Sequence, residues 1–296
     1  MISSTNSVTS LRGRGSTASE SLAIIGPVTF ALVDITKALR RVEAVAGTGG
    51  SSDAYVSEIV DRIYSLAESM KGSVHSFLGD GVQLTWNATR RVVQHEAKAV
   101  RFLVRIGSDM SGAAHTGFAR CQLAGTRQQS IVLQERWQPI VRTAFVLACR
   151  FGTNLVTGST FETSAQVQFE ARCVMCLVDD AVEEATSSKE KQVQLYEVTS
   201  ERVGIEEWMY TVAAQTEERR ANDLVTSSLV LAMRGQYEEA MGVLDRLRME
   251  ESDSSNHSGG RTMQAPSVQH LREVLVQHLI ADFENEGRIF GVRSTK

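Results

Sequence analysis

Two aspartates, Asp34 and Asp80, have the type and setting to do chemistry. Asp34 closes the apolar run LAIIGPVTFALVDI (22–35), where Val28, Phe30 and Leu32 alternate with small or polar residues as in a half-buried strand. Asp80 sits in Gly79-Asp80-Gly81, between the two short apolar runs of SVHSFLGDGVQLTW, the pattern of a tight β-hairpin. If the two strands are neighbours, both side chains reach one edge of the sheet. Two carboxylates a few ångströms apart repel unless a cation lies between them. Hard oxygen donors suit Mg²⁺ or Mn²⁺, and Mg²⁺ is usually held by one or two carboxylates plus substrate phosphates. Two such metals can activate an attacking oxygen and stabilise a leaving phosphate. The same residues also read without any metal, as a strand-end acid and a turn acid, because Asp-Gly is a favoured hairpin turn.

The chain that must position these acids has 296 residues, 42% hydrophobic and 22% charged, with a net charge of −4. That length supports one large domain, or a domain with an appendage, around a buried core. The mild charge argues against nucleic acid or anionic lipid as the main partner, since both need a concentrated basic surface. No apolar run approaches the roughly 20 residues of a membrane span. The N-terminus lacks the apolar core of a secretory signal, and four cysteines make no disulfide framework. The expectation is a cytoplasmic protein with no membrane span.

Residues 1–21 are rich in Ser, Thr and Gly and are expected to form a disordered tail. After the first strand, a helix is expected over Tyr55–Met70, with Gly72 as its stop. Residues 88–106 read as a helix with a basic outer face. Two strands follow (AAHTGFARCQLAG and SIVLQE), then a helix with Pro139 in its first turn, a strand NLVTG and a short helix STFETSA. FEARCVMCLV and QVQLYEV read as two final strands. The intermixing predicts an α+β sandwich, with helices against a mostly antiparallel sheet. Residues 199–250 read as a helical hairpin region, 251–265 as a polar linker, and 266–286 as a last amphipathic helix that must dock to be stable.

Several segments occur together in order: VTFALVDI (28–35), FLGDGVQLTWNA (77–88), QHEAKAVRFL (94–103), HTGFARCQLAG (115–125), LACRF…NLVTGSTFE (147–162) and LYEV (195–198). Together they resemble the catalytic domain of class III adenylate/guanylate cyclases over residues 22–198. The resemblance implies a ferredoxin-like sandwich that works as a homodimer or a heterodimer with another cyclase-homology domain, with ATP or GTP as ligand. It implies metal-binding acids at Asp34 and Asp80, with the main chain at Ile35 approaching the phosphates. The base-recognising Lys falls at Ser76, the second base-reading position at Pro139, and the ribose-orienting Asn at Val146. The transition-state Arg is matched by Arg150. The phosphate-gripping Lys-Gly loop is replaced by VDDAVEEATSSKEKQ, in which Lys189 and Lys191 lie. The metal half of such a site is kept and the purine-reading half is blank. A site built to hydrogen-bond a base discriminates through those contacts. Each lost charge-stabilising donor costs roughly 10²–10³ in rate. Two functions follow as expectations: a degenerate domain with a regulatory or scaffolding role beside an active cyclase, or a divergent cyclase making 3′,5′-cyclic nucleotide.

Other motifs read more plainly. Cys173 and Cys176 have Cys-x-x-Cys spacing, but no second pair accompanies them, and on a regular strand positions i and i+3 face opposite sides. They read as buried small hydrophobes. His95 and His115 fall at family positions and are expected to be structural. The segment RGQYEEAMGVLDRL resembles the second helix of a tetratricopeptide unit, of which about three are needed for a solenoid.

Overall fold

The structure is a computed structural model and describes residues 24–46, 52–124, 130–135, 137–178, 192–202, 209–253 and 262–289. Strand β1 (Ile24–Asp34) leads into helices α1 (Thr36–Ala46) and α2 (Ser52–Ser69), then the hairpin β2 (Ser73–Leu78) and β3 (Gly81–Trp86). Helix α3 (His95–Arg105) connects to β4 (Ser111–Ala124). This βαββαβ unit has the sheet order β2-β3-β1-β4, with β1 antiparallel to both neighbours, which is the ferredoxin-like arrangement. Strand β5 (Ser130–Gln134) pairs with the far end of β4. Helix α4 (Gln138–Phe151) then returns the chain to β6 (Asn154–Thr157), which pairs parallel to β4. A short turn α5 (Gly158–Thr160) runs into one wide helical turn, and β7 (Phe169–Val178) and β8 (Gln192–Glu201) complete the sheet in the order β6-β8-β7. The α+β class expected from the sequence is the class observed.

The sheet is covered on both faces. Ala31, Val33, Val82, Leu84, Trp86, Ala114 and Val156 face α1, α2 and α3 in the largest core cluster, with Ile63, Phe102 and Leu103 from the helices. On the opposite face Ala113, Leu155 and Leu195 pack against Ala144, Ala148 and Phe151 of α4. The hairpin turn is the two-residue Gly79-Asp80, with Gly79 at φ 59°, as a Gly-first tight turn requires.

Three local expectations are corrected. Residues 36–46, where the sequence suggests no element, form α1. The helix read over 88–106 starts only at His95. Asn87 is left-handed at φ 68°, and its side chain ties Pro27 O to the Val92 amide (both 2.8 Å), which holds the following residues out of a helix. Gly72 is not the residue that stops α2: Lys71 takes the left-handed conformation at φ 58°. Gly72 serves packing instead, since a Cβ there would stand 2.8 Å from the Trp86 ring.

Past β8, α6 (Met209–Met233) and α7 (Tyr237–Asp253) form an antiparallel pair, and α8 (Pro266–Ile289) lies against them. Residues 251–253, read as linker, continue α7. Val225, Leu229, Ala240, Leu244, Val268, Leu271 and Leu275 build a second core that also takes in Cys173 of β7. Thr226 Oγ1 accepts the Cys173 main-chain N–H at 3.0 Å, so α6 caps the open edge of β7.

A buried ion pair ties this appendage to the sheet. Arg172 and Glu197, 5% and 7% exposed, meet through Nε and Nη2 at 2.9 Å. Thr153 donates to the other Glu197 oxygen at 2.8 Å, and Ser267, at the start of α8, donates to Oε2. Removing one partner of such a pair leaves an uncompensated buried charge. Arg172→Met is expected to destabilise the protein by about 3–5 kcal/mol, and Ser267→Ala by about 1 kcal/mol. Urea unfolding followed by circular dichroism reads both, and an Arg172→Met effect no larger than that of Ser267→Ala would contradict this account of the α8 anchor.

Candidate functional site

Asp34 and Asp80 do come together. Asp34 is the last residue of β1 and pairs with Gly81 of β3 on one side and Ser111 of β4 on the other. The Ile35 amide donates to Asp80 O at 2.9 Å, which closes the hairpin turn onto the end of β1. Asp34 Oδ1 accepts the Thr36 amide at 3.0 Å and the Thr36 hydroxyl, and the same hydroxyl lies 3.2 Å from Asp80 Oδ2. A hydroxyl has one proton and cannot donate to both carboxylates at once. The two acids therefore converge with one hydrogen bond too few between them, at a place where a cation would be favoured.

These donors fit Mg²⁺ or Mn²⁺: two carboxylates half-buried to exposed, all oxygen, with open space for water or phosphate. Among the described residues no three His, Cys, Asp or Glu side chains form a metal cluster, so protein ligands beyond the pair are not preassembled. Two further groups of the site escaped the sequence reading. Cys149 of α4 lies near Asp34, and burial together with the Asp34 charge pushes its thiol up to about 11. The Lys37 ammonium covers the C-terminus of α4, where a Cβ on Gly152 would meet Nζ at 2.5 Å. Neither could be seen in the sequence, because α4 reaches β1 only through the tertiary fold.

The other expected positions are spread out. Ile35 is buried, and its N–H and C=O are both used, by Asp80 and by Leu39. Ser76 pairs with Gln83 on the open sheet face, and His75 is the extra residue of a bulge in β2, its Nε2 2.5 Å from Thr85 Oγ1. Pro139, Val146 and Arg150 fall at i, i+7 and i+11 of α4, one stripe of that helix. All three are exposed, Val146 at 63%, while Ile140, Val141, Ala144 and Ala148 fill the buried face. Within one chain this stripe faces solvent. A cavity of about 160 Å³ opens beside it, lined by Phe30, His75, Gln83, Leu133, Glu135, Trp137 and Gln138, none of them a site residue expected from the sequence.

His95 and His115 end a chain of buried hydroxyls. His95 Nδ1 meets Thr29 Oγ1 at 2.7 Å, Thr29 meets Thr116 at 2.7 Å, and Thr160 reaches Thr116 at 3.1 Å. Thr160 lies 3.3 Å from Thr157, which sits 3.0 Å from His115 Nδ1. The segments β1, α3, β4, β6 and α5 are thereby joined through side chains. Trp137 packs tilted against His115, with ring centroids 5.1 Å apart and an interplanar angle of 46°.

The expectation that Cys173 and Cys176 face opposite sides is overturned. The register shifts between Cys173 and Met175, so Cys173 opposes Tyr196 and Cys176 opposes Gln194, two residues on one face. Burial, then the neighbouring Cys176, pushes the Cys173 thiol up to about 12. Such a thiol is protonated and unreactive. Lys189 and Lys191 lie outside the described residues.

No family model matches the chain, and no curated protein matches it. Among solved structures it is similar to the guanylate cyclase domain of RhGC from Catenaria anguillulae in complex with GTP. That match has 16% identity, covers 60% of this chain and 97% of that one, and has a TM-score of 0.41. It is also similar to the adenylyl cyclase CyaB from P. aeruginosa (14% identity, 62% and 100% covered, TM-score 0.45). A third is the dimeric guanylyl cyclase domain of the RhoGC fusion protein from the aquatic fungus Blastocladiella emersonii (16%, 62% and 99%, TM-score 0.44). Among the described residues no helix is long and apolar enough to cross a membrane.

Burial brings the His115 imidazole down to about 4 from its ordinary 6.5. A group whose folded pKa is depressed adds protons on unfolding between those values. The stability it contributes is therefore complete above pH about 6.5 and is lost as pH falls toward 4, roughly 3 kcal/mol in all. Urea unfolding across pH 4–7 should show this loss in the wild type, and His115→Gln should flatten it. Parallel curves for the two proteins would contradict the buried neutral imidazole.

Proposed function

We propose that the chain is a nucleotide cyclase-homology domain that keeps the metal-bearing half of a paired site and works in a regulatory or scaffolding role beside a second cyclase-type domain. The observation that carries this reading is the convergence of Asp34 and Asp80 on one Thr36 hydroxyl. The ligand class is ATP or GTP with Mg²⁺ or Mn²⁺, the acids Asp34 and Asp80 holding the ion. Bound there, a divalent ion would offset the charge of the nucleotide phosphates.

The blank half supports the regulatory role. Pro139 has no side-chain donor, Val146 has no polar group, and Ser76 offers one short hydroxyl where a base would need a longer reach. The exposed α4 stripe supports pairing with a second domain, as a homodimer or a heterodimer, because its residues belong to no buried face of their own chain. Only a partner with base- and ribose-holding side chains would complete the pocket. The α6–α8 helices supply an additional surface. The α6–α7 pair resembles a single tetratricopeptide unit, too short for an array of its own. The setting we assign is cytoplasmic.

A second reading is favoured by one observation: the position matched to a transition-state arginine is filled by Arg150, exposed in the last turn of α4. In that reading the chain is itself a divergent cyclase. Asp34 and Asp80 hold the ion, and Arg150 offsets phosphate charge as a 3′-hydroxyl attacks the α-phosphate and pyrophosphate leaves.

One experiment separates the two. Purified protein with Mn²⁺ is expected to bind a fluorescent ATP or GTP analogue and to form no cyclic nucleotide. Asp80→Asn is expected to weaken that binding at least about tenfold, the loss of one charge-assisted contact. Turnover abolished by Asp80→Asn would establish the second reading, and metal-independent nucleotide binding would contradict both.

A further inference from the structure

We propose that the cavity between the sheet and the start of α4 binds a small planar organic cation of the amidinium or guanidinium class, set against the Phe30 and Trp137 rings with Glu135 as its counter-charge. The site shares no residue with the metal-and-nucleotide reading, so either can fail alone. It lies on the open face of the sheet, where Phe30 of β1, Gln83 of β3 and His75 at the β2 bulge meet Glu135, Trp137 and Gln138. At about 160 Å³ it has room for one benzene-sized ring.

The wall sets the sign of the ligand. The Phe30 and Trp137 rings stand 5.8 Å apart between centroids, tilted by 50°. The one donor of the indole, Nε1–H, is taken by Phe118 O at 3.1 Å, so the ring offers a ligand its π electrons, which attract a cation. The Glu135 carboxylate stands beside the rings, and among the described residues no Lys or Arg lines the cavity. Glu135 Oε2 accepts the Gln138 amide at 2.8 Å, which uses one of the several lone pairs of the carboxylate. The free amides at a helix start would otherwise favour an anion. Here the Gln138 amide is bonded and Pro139 has none, so the acid dominates this end of α4.

His75 adds no opposing charge. Its Nε2 lies 2.5 Å from Thr85 Oγ1, and burial lowers its pKa below the ordinary value, which keeps the ring neutral at neutral pH. Gln83 and Gln138 carry amide oxygens that accept from N–H groups. A planar cation answers all of these groups at once. Its face packs on the rings while its N–H edge donates to the carboxylate, the two ways in which a guanidinium is recognised. A neutral ring of the same size would fill the space and leave Glu135 without a counter-charge.

The test is isothermal titration calorimetry of the full-length protein with benzamidinium, and with benzamide as a neutral molecule of nearly the same shape. One benzamidinium per chain is expected, with benzamide at least about tenfold weaker, the worth of a hydrogen bond to a charged group. Glu135→Gln keeps an acceptor for the Gln138 amide and should lower benzamidinium affinity at least about tenfold while leaving benzamide unchanged. Glu135→Asp should keep the preference for the cation. Trp137→Leu, with folding checked by circular dichroism, should lower benzamidinium affinity about three- to thirtyfold. No binding at millimolar benzamidinium, equal binding of the two molecules, or benzamidinium binding that survives Glu135→Gln overturns the proposal. Displacement of benzamidinium by ATP or GTP with Mn²⁺ overturns it too, because the cavity then belongs to the nucleotide site. Nucleotide binding without displacement supports a separate cation site, and benzamidinium binding in a protein that takes no nucleotide removes the nucleotide reading alone.

Discussion

Strand β1 is hydrogen-bonded on both edges, to β3 and to β4, and that double pairing fixes the molecule's chemistry. Its last residue, Asp34, has no freedom to leave the sheet edge, because Gly81 and Ser111 hold it in register from either side. The same pairing delivers the Gly79-Asp80 turn, whose carbonyl takes the next amide of the β1 chain, Ile35. Two negative groups are thus pressed toward one hydroxyl by backbone forces that have nothing to do with their charge. In the function proposed above, a divalent cation at this edge would offset both charges.

The rest of the fold serves that edge. Helices α1–α3 close one face of the sheet with large apolar side chains. Helix α4 closes the other with small ones, Ala144 and Ala148, which let it approach closely enough for Cys149 to lie near Asp34. The price of that approach is a stripe of α4 left facing solvent, with Pro139, Val146 and Arg150 along it. The appendage α6–α8 seals the β7 edge, anchors through Glu197 and sets His270 of α8 against Phe151 at the end of α4.

Much of this was legible in the sequence, and the failures share a cause. The hairpin was readable because Gly-Asp-Gly between apolar runs is local turn chemistry. The sheet strands were readable from alternation, and α4 from Pro139 at its start and Gly152 at its end. What was missed depends on groups distant in sequence or on irregular backbone. The residues before α3 are held out of the helix by Asn87 bonding to Pro27, 60 residues away. The bulge that brings Cys173 and Cys176 to one face has no residue signature. The same holds in β2, where the bulge at His75 lies beside Ser76. Helix α1 carries Ala38, Leu39 and Val42 at helical spacing, but the charged residues between them and the Gly-rich run that follows weaken the periodic signal. In the site, both acids were readable, but Thr36, Cys149, Ser111 and Lys37 were not, since each acts through a contact made only in the folded chain.

The central claim is that the rim of β1 and the β2–β3 turn share one divalent ion. Paramagnetic broadening of backbone amide resonances on adding substoichiometric Mn²⁺ to isotope-labelled protein maps it most directly. The account predicts that Ile35, Thr36, Gly81 and Gly112 broaden first, while residues of α7 and the far end of β7 stay sharp. Broadening centred elsewhere, or uniform and weak across the spectrum, would contradict it.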